Sequence, residues 1–129
     1  MSNLFARLDE HAIAAKLHSG GMLFRHGDPV SGAYTIRSGK VALIWISNEG
    51  LSPMDTLGPG AILGLPAVLN GEYSLSARAL VDCEVGFLPA SRVLDMLATD
   101  HGMLQEVTKL LASEVARMRD LARNRTTQI

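Results

Sequence analysis

The spacing of apolar and polar side chains divides the chain into three segments. Over residues 3–18, alanines and widely spaced leucines recur at helical spacing, which predicts a helix that the glycines at 20–21 end. Over residues 22–88, short apolar or alternating runs are separated by turn signals such as His-Gly-Asp-Pro and Gly-Pro-Gly. Strands with turns about every 8–12 residues are typical of an antiparallel barrel or sandwich. Pro53 indicates that its strand lies at an edge, and residues 64–71 have room for one helical turn.

The helical period returns after Pro89 and continues over residues 91–123. Asp100 offers a cap for a second, longer helix, about 35 Å long at 1.5 Å per residue. A domain of this size would not cover such a helix, and its narrow apolar stripe is typical of a seam between two helices. We therefore expect a homodimer; the alternative is that the stripe packs only on the chain's own strands. The residues predicted for the dimer interface are Leu104, Val107, Leu111, Val115, Met118 and Ala122.

Composition limits the class of protein. The chain has 129 residues, 47% of them hydrophobic, which is enough for one domain with its own core. A formal net charge of −1 does not suit a general nucleic-acid binder, which carries a basic face. Cys83 is the only cysteine, which fits a reducing cytosol. Because no apolar run is long enough to cross a bilayer, we expect a soluble, cytoplasmic protein without membrane association.

The pattern of reactive side chains does not predict catalysis. The sequence contains no Gly-x-Ser-x-Gly elbow, no Walker loop and no dinucleotide fingerprint. The histidines are scattered over different predicted elements, so we predict no metal site. We expect a sensor or interaction module and not an enzyme. The four histidines are His11, His18, His26 and His101.

Four motifs in a fixed order resemble one known family. They are LFRHGDP at 23–29, AYTIRSGKV at 33–41, LGPGAILG at 57–64 and ARALVDCEV at 77–85. Followed by a long helix, they resemble the cyclic-nucleotide-binding domain of the Crp/Fnr superfamily over nearly the whole chain. The resemblance implies a single, mainly β domain over 1–129: an antiparallel β-roll of jelly-roll type at 22–88, an N-terminal helix at 3–18 and C-terminal dimerisation helices at 91–123.

The ligand cassette departs from the pattern that the resemblance implies. In nucleotide-binding members, a glutamate after the glycine holds the ribose, and an arginine about ten residues later holds the cyclic phosphate. Here Leu65 follows Gly64, the arginine position falls on Tyr73 or Ser74, and Pro66 removes one backbone donor. We therefore expect no cyclic-nucleotide cofactor. The apolar side chains would line a pocket for an uncharged ligand or simply fill it.

Arg78 is the cation that could restore phosphate binding. It would lie about 13 Å along the strand from Ser74, so its side chain would have to bend back. A structural or surface role is the alternative, and we favour it. The candidate pocket residues are Leu63, Gly64, Leu65, Pro66, Ala67, Tyr73, Ser74, Leu75, Ser76, Arg78 and, from the long helix, Thr108.

Two functions remain open. Members that regulate transcription carry a winged helix-turn-helix after the long helix, whereas only residues 124–129 follow it here. We therefore expect no sequence-specific DNA binding by this chain. It is interpreted as a stand-alone sensor domain with a degenerate pocket that signals through dimerisation or a partner protein. The alternative is an effector-binding regulatory domain, with a cyclic nucleotide as one candidate effector, cut from a larger transcription regulator.

Overall fold

The structure is a computed structural model that describes residues 4–47 and 50–127, without the side chains of residues 46, 47, 51–54, 114, 117, 118 and 121–127. Its helices are α1 (Leu4–Asp9), α2 (Leu65–Asn70), α3 (Ala90–Thr99) and α4 (His101–Thr127). Its strands are β1 (Ile13–Leu17), β2 (Met22–Phe24), β3 (Gly32–Ser38), β4 (Val41–Ser47), β5 (Gly50–Leu57), β6 (Ile62–Leu63), β7 (Ser76–Ala79) and β8 (Cys83–Pro89).

Two four-stranded antiparallel sheets form a roll. The strand order is β1-β8-β3-β6 in the first sheet and β2-β7-β4-β5 in the second. Strand β8 pairs on both sides, so that Val85 lies opposite Ala15 on one side and Ile36 on the other. Strand β5 lies at the edge of its sheet, as Pro53 predicts. The predicted β-roll with flanking helices is confirmed.

The predicted helix over residues 3–18 is wrong in its second half. Helix α1 ends at Asp9, and β1 pairs with β8 from Ile13 opposite Phe87 to Leu17 opposite Cys83. The side chain of Ile13 is 61% exposed, so β1 buries no apolar face that an alternating pattern could reveal. Hydrogen bonding to β8 outweighs the helix propensity of the alanines. At the other end, the predicted helices are confirmed and α4 continues to Thr127.

Two clusters of buried side chains form the core. The first lies inside the roll and includes the fully buried Ile36, Val41 and Ala77. The second lies where the helices pack on the first sheet and includes Leu88 and Val107. The first turns of α4 are therefore fixed on the roll beside α2. Within the described part of the chain, no helix is long and apolar enough to cross a membrane.

Asp9 joins the end of α1 to β3. Its Oδ1 accepts hydrogen bonds from Thr35 Oγ1 at 2.6 Å and from Arg37 Nε at 2.9 Å. Burial acts to raise the pKa of Asp9, but these two bonds and the positive charge of Arg37 outweigh it, so the pKa lies below its ordinary value. Asp9 is therefore a carboxylate at neutral pH and forms an ion pair with Arg37.

Asp100 fixes the start of α4. Its Oδ1 accepts a hydrogen bond from Met103 N at 3.0 Å, and its other carboxylate oxygen pairs with Arg7 of α1. The bond from Met103 and then the bond from Arg7 lower the pKa of Asp100 below its ordinary value. The cap predicted from the sequence is thus confirmed, and α1 is tied to the junction of α3 and α4.

Gly86 of β8 has no room for a side chain. A Cβ there would overlap Thr35 Oγ1 and lie 2.7 Å from Ala12 Cβ and 2.9 Å from Asp9 Oδ1. Gly86→Ala should therefore lower the free energy of unfolding by about 1–3 kcal/mol, because the methyl group displaces the Thr35–Asp9 bond. Urea denaturation followed by circular dichroism measures this change.

Gly102, in the first turn of α4, provides the matched control. A Cβ there would lie 3.4 Å from Asp100 Oδ1, an ordinary contact. Gly102→Ala should leave stability unchanged or raise it by up to about 1 kcal/mol, because alanine favours helix. An equal loss of stability in both variants would contradict this account of Gly86.

Candidate ligand-binding pocket

A cavity of about 430 Å³ lies between the roll, α2 and α4. Three parts of the chain enclose it: the interior of the roll, the segment from β6 through α2 to β7, and the middle of α4. The lining residues are Phe24, Leu43, Leu57, Ile62, Leu63, Gly64, Leu65, Pro66, Ala67, Leu69, Tyr73, Ser74, Leu75, Leu110, Leu111 and Val115.

Two glycines set the bounds of α2, which forms one wall of the cavity. Gly64 precedes the helix with φ of 87°, and Gly71 follows it with φ of 99°, conformations that other residues rarely adopt. A Cβ at Gly64 would also lie 3.0 Å from Gly32 O. This local geometry buries Leu65 and leaves Leu69 55% exposed at the rim of the cavity.

Tyr73 forms the floor of the cavity. Its Oη donates a hydrogen bond to Gly32 O at 2.7 Å, accepts one from Gly32 N at 3.1 Å and lies 3.0 Å from Ser31 Oγ. Its ring stacks on Phe24 with the centroids 4.1 Å apart and the planes 8° apart. The side chain is only 3% exposed. Its ring and its hydroxyl therefore both contact other groups of the protein and not solvent.

The structure brings most of the predicted pocket residues together. Those that line the cavity are Leu63, Gly64, Leu65, Pro66, Ala67, Tyr73, Ser74 and Leu75. Leu65 is buried and Ser74 is exposed. The positions where the resemblance implies charged groups therefore all border the cavity: Leu65 and either Tyr73 or Ser74.

Ser76 and Arg78 are absent from the lining. Arg78 is exposed and alternates along β7 with the buried Ala77 and Ala79, so its side chain points to the opposite side of the sheet from the core. Ser76 is buried, and its Oγ accepts a hydrogen bond from His26 N at 2.9 Å. Arg78 is consequently not aimed at the cavity, and Ser76 holds the loop that follows β2.

Thr108 also does not line the cavity. Its Oγ1 donates to Leu104 O at 2.7 Å, one turn earlier in α4. The part of α4 that covers the cavity consists of Leu110, Leu111 and Val115, and sequence reasoning assigned none of them to the pocket. It also missed the wall inside the roll, formed by Phe24, Leu43, Leu57 and Ile62.

The stripe predicted to form a dimer interface is only partly exposed at the surface of the domain. Val115 is 63% exposed, Leu104 is 41% exposed and Leu111 is half-buried beside the cavity. Val107 is 1% exposed within the core of its own domain, so it cannot contact a second copy. The remaining two predicted residues lie in α4, and their side chains are outside the described part of the chain: Met118 and Ala122.

The cavity is electrically neutral. Of the described residues that line it, none carries a charge. Across 4–47 and 50–127, no three His, Cys, Asp or Glu side chains are grouped so that they could hold a metal ion. Cys83 is buried, and its Sγ lies 3.2 Å from Val81 O and 3.4 Å from Lys40 O.

Removal of the Tyr73 hydroxyl tests its role in the floor. Tyr73→Phe should lower the free energy of unfolding by about 1–3 kcal/mol, because it leaves the carbonyl and amide of Gly32 without their buried partner. Tyr34→Phe is the matched control, since Tyr34 Oη is part-buried and donates to Leu23 O at 3.2 Å. Urea denaturation should show the larger loss for Tyr73→Phe, and a larger loss for Tyr34→Phe would refute the assignment.

Comparison with protein families identifies a matching family model. The family model described as "Cyclic nucleotide-binding domain" matches residues 15–100. An anaerobic regulatory protein of Pasteurella multocida is 28% identical over 95 residues, which cover 73% of this chain and 35% of that protein. The transcriptional activator protein anr of Pseudomonas aeruginosa is 26% identical over 100 residues, covering 77% of this chain and 41% of that protein. The chain spans 35–42% of the length of the curated relatives that it matches.

Solved structures share the fold. The cAMP-bound form of the EAL enzyme Bd1971 is similar with a TM-score of 0.69 and 26% identity, over 87% of this chain and 30% of that one. The catabolite activator protein of Thermus thermophilus is similar with a TM-score of 0.79 and 24% identity, over 98% of this chain and 60% of that one.

Proposed function

The chain belongs to the cyclic nucleotide-binding domain family of the Crp/Fnr regulators, and on that premise we propose that it is a sensor domain whose pocket holds no cyclic nucleotide. One observation carries the proposal. Of the described residues that line the cavity, none carries a charge. By the resemblance, Leu65 stands where nucleotide-binding members have a glutamate, and the position of their arginine falls on Tyr73 or Ser74.

A cyclic phosphate needs a partner for its negative charge. An anion taken out of water without such a partner costs several kcal/mol. The described cavity offers an exposed Ser74 hydroxyl and a Tyr73 hydroxyl that is already bonded to Gly32. Pro66 lacks an N–H, and the exposed Arg78 is on the far side of β7. These features support the loss of cyclic-nucleotide binding.

Isothermal titration calorimetry tests this loss. Cyclic AMP and cyclic GMP, each titrated into the chain at micromolar concentrations, are expected to produce no binding heat, since their desolvated phosphate would remain unpaired. A saturable isotherm with either nucleotide would overturn the proposal. The relevant comparison is with a Crp/Fnr domain that binds cyclic AMP under the same conditions.

Two single variants, Ser74→Arg and Ser74→Gln, test whether the missing positive charge explains the loss of binding. Ser74 is exposed at the rim, so either longer side chain fits without repacking the core. Because a charge-assisted hydrogen bond contributes about 1.5–3 kcal/mol, the arginine variant is expected to bind cyclic AMP more tightly than the glutamine variant. Equal affinities would show that the missing charge does not explain the loss.

We further propose that the chain acts by binding and not by catalysis. The curated relatives are named as regulatory proteins and activators. The similarity to the cAMP-bound form of the enzyme Bd1971 covers 30% of that chain. Neither hydroxyl group that borders the cavity has a described histidine or carboxylate beside it in the lining to activate it as a nucleophile.

Self-association through α4 is the proposed output of the domain. Helix α4 has 27 residues, and the buried Met103 and Val107 belong to its first turns. One stripe of the helix, from its first turns to its middle, carries the exposed Leu104 and Val115 and the half-buried Leu111. A second copy of α4 packed along this stripe would remove these side chains from water.

Analytical ultracentrifugation tests the dimer. The double variant Leu104→Asp/Met118→Asp should convert the dimer to a monomer, because it adds two charges to the stripe that the sequence predicts as an apolar seam. The control is Gln105→Asp with Ala112→Asp, which adds the same charge at exposed positions of α4 away from the stripe. If the mass is unchanged in the first variant, or falls equally in both, the interface does not lie on this stripe.

A second candidate is a regulatory domain within a longer transcription regulator. The 35–42% coverage of the curated relatives supports it. In this case α4 would pass the state of the pocket to a following segment. The genomic reading frame downstream of the codon for Ile129 distinguishes the two candidates.

A further inference from the structure

We infer that the cavity between the roll and α4 binds an uncharged, apolar small molecule. This inference rests on the proposed loss of cyclic-nucleotide binding and identifies the class of ligand that would replace it. The observation that supports it is a cavity of small-molecule size whose described lining is mainly apolar and carries no charge.

The interior of the cavity offers contacts to hydrocarbon surface. Leucines from β4, β5 and β6 and the stacked pair of Phe24 and Tyr73 face it from the roll. Burial of apolar ligand surface against such a lining is favourable, whereas a charged ligand would lose its hydration without compensation. The Tyr73 hydroxyl is engaged by Gly32, so the site selects against charge.

Two exposed apolar side chains stand at the rim of the cavity, together with the uncharged Ser74. Leu69 of α2 is 55% exposed and Val115 of α4 is 63% exposed, and both line the cavity. These two residues mark an opening through which a ligand reaches the interior. A ligand with a charged end projecting from the opening would place that charge beside two hydrocarbon side chains.

The size of the cavity fits this occupant. About 430 Å³ lies within the range of small-molecule sites, roughly 300–1,000 Å³. Apolar cavities that offer few hydrogen-bond partners hold apolar guests in preference to water. The cavity is enclosed on three sides. A compact small molecule can therefore enter it, whereas the flat surface of a partner protein cannot.

Two fluorescent probes that differ by one charged group test the inference. N-phenyl-1-naphthylamine is uncharged, and 8-anilinonaphthalene-1-sulfonate has the same ring system with a sulfonate. The uncharged probe should bind the full chain saturably, with one site per chain and a blue-shifted emission. The sulfonate should bind at least about tenfold more weakly, which corresponds to 1.4 kcal/mol. Equal binding of both probes would overturn the inference.

Two exposed leucines locate the binding. Leu69 lines the cavity, whereas Leu94 of α3 is 44% exposed and lies away from it. Leu69→Asp should weaken binding of the uncharged probe by about tenfold, because it places a charge at the opening. Leu94→Asp should leave binding unchanged. Equal effects of the two substitutions, in variants with wild-type circular dichroism, would assign the probe to a general surface and overturn the inference.

Two further outcomes separate this inference from its premise. If neither cyclic AMP nor the uncharged probe binds, the ligand inference fails and the proposed loss of nucleotide binding stands. If cyclic AMP displaces the probe, the premise itself fails. A third outcome also overturns the inference. If the uncharged probe binds the Leu104→Asp/Met118→Asp variant but not the wild-type chain, a second copy occupies the opening in the wild type.

Discussion

The hydrogen bonds of Tyr73 hold the pocket in its shape. Its backbone N–H donates to Asp28 O at 3.1 Å, its carbonyl accepts from Gly27 N at 2.8 Å, and its Oη joins Gly32. One residue therefore connects the segment after α2 to the middle of the loop between β2 and β3 and to the first residue of β3. The same ring stacks on Phe24 and forms the cavity floor. Because the hydroxyl satisfies groups of its own chain, the residue that shapes the pocket cannot also hold an anion in it.

Helix α4 links the cavity to the surface of the domain. Met103 and Val107 bury its first turns against the first sheet, and Asp100 caps it while pairing with α1. One turn later, Leu111 borders the cavity, and Val115 both borders it and projects into solvent. A molecule in the cavity would thus touch the side chains that a second copy of α4 would touch. This shared contact gives ligand binding a direct physical route to self-association.

Local chemistry predicts most of this fold. The turn glycines, the Asp100 cap and the helical period after Pro89 each specify structure within a few residues, and the structure confirms them. Strand β1 could not be predicted in this way, because Ile13 and its neighbours bury no periodic face and are extended only through pairing with β8. The two-residue β6 is likewise fixed by its pairing with Tyr34 and Thr35. Where long-range hydrogen bonds decide the backbone, single-sequence patterns carry little information.

The same distinction applies to the cavity. The side of the cavity formed by α2 could be located from Gly64 and the motifs. The side that α4 covers could not, because it depends on which turn of the helix contacts the roll. The hydrogen bond from Tyr73 to Gly32 joins residues 41 positions apart in the sequence. The chain packs its interior to full burial elsewhere, as Ile36 and Val41 show. An unfilled apolar space forfeits the dispersion contacts that such packing provides. The open cavity therefore costs stability, and an apolar ligand of the class proposed above would offset that cost on binding.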